Sequence, residues 1–137
     1  MATSLTRTTG FQARHRLWVA GWSDQENRRR FGPLTEPHPH DYRCSVTVSG
    51  PTDSHGMVID LALLDRILEA EVRIPLDGRQ LDRDLPDFAA GTPLATCEAL
   101  AEYLYRRIRP RLPAGVVLAR VRVAEDDTLS AECTGTV

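Results

Sequence analysis

The chain contains no lysine: all 17 of its basic residues are arginine. That absence excludes mechanisms built on a lysine Schiff base or a lysine nucleophile. Cysteine is scarce as well. Cys44, Cys97 and Cys133 are an odd number, widely spaced and without a CxxC pair, so a disulfide framework is not expected and a reducing cytoplasm is the simplest compartment. No apolar run approaches membrane-spanning length, and Met1 to Gly10 has no apolar leader core. A large excess of either charge is missing too. A net charge of −2 gives no electrostatic reason to expect nucleic acid as a partner. What remains is 137 residues, 42% of them hydrophobic, which fits one domain over 1–137 with a moderate core.

Histidine is the informative scarcity. Only four are present, and two of them, His38 and His40, stand two residues apart at the head of an alternating run, Arg43 to Val48. In extended backbone, residues i and i+2 face the same way, so these imidazoles can converge on one metal ion. His15 lies near the end of an earlier strand-like stretch, Ser4 to about Leu17, read with a bulge near Gly10. If the two strands are antiparallel neighbours, His15 joins the pair. Three imidazoles with an open fourth position suit catalytic zinc. His55, in a polar turn, is read as merely exposed, and Cys44 as core.

Elsewhere the pattern is plain. Ser23 with Glu26 reads as a capping box for a turn or two of helix ahead of the solvated run Arg28-Arg29-Arg30. Tyr42 to Gly50 reads as a strand. Asp60 caps a helix from Leu61 to about Ile74, closed by Pro75. Leu76 to Pro93 is mostly irregular, with Leu81, Leu85 and Phe88 as anchors. Thr96 caps a helix over Cys97 to Arg109, and strands follow over Val116–Ala124 and Leu129–Thr134. The order ββααββ predicts an α+β fold, a four-stranded antiparallel sheet with both helices on one face. Its exposed edges call for an oligomer.

Several motifs in this order resemble the 6-pyruvoyltetrahydropterin and 6-carboxytetrahydropterin synthases. They are Phe11-Gln12-Ala13-Arg14-His15, Ser23-Asp24-Gln25-Glu26-Asn27 with Phe31-Gly32, His38-Pro39-His40-Asp41-Tyr42, Gly56-Met57-Val58, Leu76-Asp77-Gly78, Thr96-Cys97-Glu98 and Glu125. The resemblance implies a T-fold, zinc held by His15, His38 and His40, and a homo-hexamer built as a dimer of trimers. It also implies a small pterin-like substrate gripped by Glu125, with help from Thr96 and Glu98.

The sequence departs from that family where proton chemistry is expected. Leu34 stands where the resemblance implies a cysteine base, Gly78 where it implies a histidine, and Pro39 replaces the glycine between two ligands. Neither Leu nor Gly exchanges a proton, so another group would take over proton transfer: the Glu36 or Asp77 carboxylate, with the Cys97 thiol as a third possibility. Two readings of function follow. One is a zinc-dependent lyase or cyclase acting on a pterin-like or other flat polar molecule. The other is a non-catalytic binder or hetero-oligomer partner that keeps the zinc site.

Overall fold

The architecture starts from two long strands whose side chains alternate between water and core. In the computed structural model, which describes residues 1–136, β1 (Thr3–His15) and β2 (His38–Gly50) pair antiparallel along their whole length. Phe11, Ala13 and His15 on β1 turn inward, as do Tyr42, Cys44, Val46 and Val48 on β2, and all seven are buried. Their outward neighbours are polar, with Thr6 bonded to Thr47 and Thr8 to Ser45, each at 2.8 Å. Period-two patterning of this kind builds a sheet with one wet face and one covered face.

β4 (Val117–Ala124) pairs with β2, and β5 (Ser130–Cys133) pairs with β4, both antiparallel. A fifth, two-residue strand, β3 (Arg79–Gln80), runs parallel to the end of β1, giving the order β3-β1-β2-β4-β5. The sheet thus has one short strand more than the four expected. The covered face carries α2 (Leu61–Leu68) and α5 (Cys97–Ile108), whose apolar stripes, including Leu64, Ile67, Leu100 and Leu104, enter one core. As expected, Asp60 caps α2 and Thr96 caps α5 through their side chains.

Three local expectations fail for physical reasons. Gly10 sits in unbroken register opposite Arg43, so β1 has no bulge. β2 begins at His38, four residues before the expected start, because Pro39 is accommodated in the ladder's first rungs. Pro75 does not end the second helix. After Leu68 the chain widens into a π-helical turn (Glu69–Arg73), then starts a new turn, α3 (Ile74–Leu76), in which Pro75 occupies an early position whose N–H is not needed. The segment read as irregular also holds α4 (Leu81–Asp84), with Leu81, Leu85 and Phe88 buried as anchors.

The connection between β1 and β2 folds over the end of the strand pair. α1 (Asp24–Phe31) is capped by Ser23, whose hydroxyl accepts from the Glu26 N–H, and Arg28, Arg29 and Arg30 are exposed. Arg28 and Arg16 lie 5.7 and 4.6 Å from the Trp18 ring on this surface. Asn27, fully buried, fastens the helix. Its carbonyl accepts from the Val19 N–H at 2.8 Å, and its amide donates to the Val19 and Ser23 carbonyls. Gly91 presses so close to Trp18 that a Cβ there would collide with the Trp18 carbonyl. No helix among the described residues is long and apolar enough to cross a membrane. Removing the Asn27 amide strands the two buried Val19 backbone groups, so Asn27→Ala is expected to cost about 1–3 kcal/mol in urea unfolding. A loss of a few tenths would show the clamp to be dispensable.

Candidate metal centre and ligand pocket

Register alone brings the three histidines together. His15 is directly opposite His38, and Ala13 is opposite His40, so His40 lies diagonally beside His15 on the same inner face. Ring centroids are 4.6 Å apart for His15 and His38, 5.1 Å for His15 and His40, and 5.0 Å for His38 and His40. One nitrogen from each falls within 4.8 Å of the other two.

The backbone decides which nitrogens those are. His15 Nδ1 is 2.8 Å from the Ala95 carbonyl and His38 Nδ1 is 2.8 Å from the Glu36 carbonyl. A carbonyl can only accept, so Nδ1 carries the proton in both rings and each Nε2 offers a lone pair. His40 Nε2 is buried and makes no hydrogen bond, although Glu125 Oε2 lies 2.9 Å away, off the line along which that nitrogen would donate. The same carboxylate oxygen is 3.6 Å from His15 Nε2. Burial pulls the His15 pKa down to about 4, and the neighbouring His38 and His40 add to the effect against the Ala95 bond. The His15–Glu125 contact is therefore one between a neutral ring and a carboxylate near neutral pH. Three converging imidazoles, two with tautomers fixed by backbone carbonyls and the third with an orphaned buried nitrogen, fit a zinc ion.

His15 and His38 are held by different parts of the chain. His15 is fixed through Ala95, just before the α5 cap, and Asp82 accepts from the Arg16 N–H at 3.2 Å. His38 is fixed by the backbone of Glu36, and the chain above it is tied down where the Leu17 N–H donates to the Leu34 carbonyl. Glu125, with 13% of its side chain exposed, follows directly on β4 and lines a cavity of about 580 Å³ together with His40, Asp41, Arg43, Arg122 and Asp126.

The other sequence-nominated residues are placed less uniformly. Thr96 is beside Ala95 and caps α5. Glu98 is exposed and faces a separate cavity with Glu102, Arg106 and Glu132. The Glu36 carboxylate is exposed, with Oε1 3.7 Å from Arg28. Asp77 accepts from the Gln12 N–H at 2.8 Å, closing the free edge of β1, in a cavity lined by none of the three histidines. Gly78 has φ +75°, and its N–H donates to the Gln12 carbonyl at 2.7 Å, so glycine suits the backbone there. Leu34 is exposed. Cys97 is buried, and burial together with the Glu125 charge pushes its thiol up to about 11, which leaves it protonated. The Ala95 carbonyl escaped the sequence reading, and no side-chain signal could have revealed it.

The His15 shift has a consequence for stability. In the unfolded chain the imidazole titrates near its ordinary value of about 6.5. Between about pH 6.5 and 4 the unfolded state therefore binds a proton that the folded state does not. Stability is full above that window and falls through it, by roughly 3 kcal/mol for a shift of this size. Urea midpoints of metal-free protein should drop across the window, and His15→Asn should flatten that part of the profile.

Residues 4–136 match the family model described as 6-pyruvoyl tetrahydropterin synthase. Human 6-pyruvoyl tetrahydrobiopterin synthase is 40% identical over 126 residues, 90% of this chain and 85% of that one. The Drosophila melanogaster protein of the same name is 37% identical over 124 residues, 88% of this chain and 73% of its own. The structure of Caenorhabditis elegans 6-pyruvoyl tetrahydropterin synthase superposes with a TM-score of 0.90 at 29% identity, covering 99% of this chain and 97% of that one. A Plasmodium vivax 6-pyruvoyltetrahydropterin synthase, solved as an alanine variant of a catalytic glutamate, has a TM-score of 0.65 at 16% identity, with 97% of each chain covered. The sheet order, the helices on its inner face and a match across nearly the whole chain agree, and the chain belongs to the 6-pyruvoyl tetrahydropterin synthase family, with its T-fold.

Proposed function

We propose that this member of a lyase family is a zinc-dependent lyase or cyclase acting on a pterin-like or related flat polar molecule. The observation that carries the reading is the convergence of three imidazoles beside a nearly enclosed carboxylate. Bound by His15, His38 and His40, zinc would supply a Lewis acid for a substrate hydroxyl or carbonyl. Glu125 is placed to accept from ring N–H groups of the ligand, an anchor that a flat donor edge can meet bidentately. Thr96 and the start of α5 border the same region, while Glu98, in its own cavity, would reach only a ligand that extends well beyond it.

Proton transfer falls to carboxylates in this reading. Glu36 is the first candidate, because its own carbonyl orients His38 and its exposed side chain is free to turn toward the ligand. The Plasmodium vivax enzyme, by its description, has a glutamate as catalytic residue, which supports a carboxylate in that role on this fold. Asp77 lies apart from the histidines of its own chain, so any part it plays is at the site of a second copy in the proposed hexamer. A second reading, ligand binding without turnover, draws on Leu34 and Gly78, which supply no proton at positions where the family resemblance leads one to look for it.

Purified protein should carry about one zinc per chain, lost in His38→Ala. Glu125→Gln should keep the zinc and bind a pterin at least tenfold more weakly. Glu36→Gln should also keep its zinc and lower turnover by roughly 10²–10⁴, the usual contribution of a positioned acid or base. Full turnover in Glu36→Gln removes that residue from the chemistry. Zinc-loaded wild type that binds pterins but turns over none leaves the binding reading. No zinc under any growth condition sinks both.

A further inference from the structure

Among the described residues, two buried side-chain polar atoms have no hydrogen-bond partner, His40 Nε2 and Tyr42 Oη. A metal ion accounts for the first. The histidine cluster gives no partner to the second. Tyr42 is 1% exposed and stands in the same inward row of β2 as His38 and His40. Phe11 stacks against it with centroids 4.9 Å apart, and the His40 and His15 rings meet it edge-on at 5.5 and 6.1 Å. Wedged among three rings, the phenol cannot swing out to find water.

A buried hydroxyl without a partner destabilises a fold, and phenylalanine would avoid that penalty. The hydroxyl therefore calls for an acceptor. Burial raises the phenol's pKa, and the nearby Glu125, Cys97 and Asp82 push the same way. Glu125 and Tyr42 flank the same imidazole, since Glu125 Oε2 touches His40 Nε2 and the Tyr42 ring packs on the His40 ring. They make no direct hydrogen bond. A phenol donates and a carboxylate only accepts, so one water between them satisfies both, with the Cys97 thiol as a further neighbour.

We propose that Tyr42 is a positioning residue of this site, donating to an enclosed water that donates in turn to Glu125 and so aims the carboxylate at the ligand. This rests on the reading of Glu125 as ligand anchor only for its functional half. The water itself does not depend on it.

The test uses zinc-loaded protein, wild type and Tyr42→Phe, in ligand-free crystal structures at high resolution and in fluorescence titration with neopterin. The expected result is an ordered water within hydrogen-bond distance of both Tyr42 Oη and Glu125 in the wild type. In Tyr42→Phe that water is absent and the Glu125 carboxylate turned. The variant keeps its zinc and its Tm and binds neopterin about tenfold more weakly. A dry slot, or a Tyr42 hydroxyl bonded directly elsewhere, overturns the proposal. So does a Tyr42→Phe protein that loses the water yet keeps Glu125 in place and binds neopterin as the wild type does. If the wild type binds no pterin, the anchor reading of Glu125 fails, and the water and carboxylate positions still decide the role of Tyr42.

Discussion

The site depends on one geometric constraint, the antiparallel register that sets His15 across from His38. A slip of a single residue between β1 and β2 would turn one set of side chains to the opposite face. It would move His15 to the wet side of the sheet and break the histidine cluster and the core together. The same inward row carries Phe11 and Ala13 on one strand and Tyr42, Cys44, Val46 and Val48 on the other. The hydrophobic effect that drives folding is thus what aligns the three imidazoles. Burying those side chains in a register displaced by one residue would leave polar groups inside and apolar ones outside.

Register places the rings, and backbone carbonyls finish the work. Ala95 and Glu36 each fix a tautomer, leaving the nitrogens that face the centre unprotonated. Burial keeps His15 neutral. The Glu125 carboxylate stands on one side of this group, 2.9 Å from His40 and 3.6 Å from His15. The surrounding loops serve this arrangement. Asp82 steadies the chain after His15, and Asp77 with Gly78 seals the strand edge before it.

The long periodic features were legible from the amino-acid order. Alternation in β1 and β2, the caps Ser23, Asp60 and Thr96, and the spacing of His38 and His40 all encode local geometry that the fold retains. Legibility ended where a decision depended on distant partners. β3 has two residues and exists only because the end of β1 is there to pair with. Pro75 looked like a stop signal, yet the helix widens before it and restarts around it. Glu125 sits in an acidic turn that solvation alone would explain, and only family resemblance singled it out. The Ala95 carbonyl has no side chain to announce it. The spacing of Glu36 and Asp77 relative to the histidines said nothing about direction. Folded, one faces Arg28 and solvent and the other a strand edge.

Pro39 separates His38 from His40, with its ring on the outer face of the sheet and its φ locked. A glycine in that place would leave the imidazoles joined by the most flexible link a chain can have. The proline makes the link between them stiff in the unfolded chain as well. Part of the conformational freedom of His38 and His40 is therefore absent before the chain folds, and folding removes the rest.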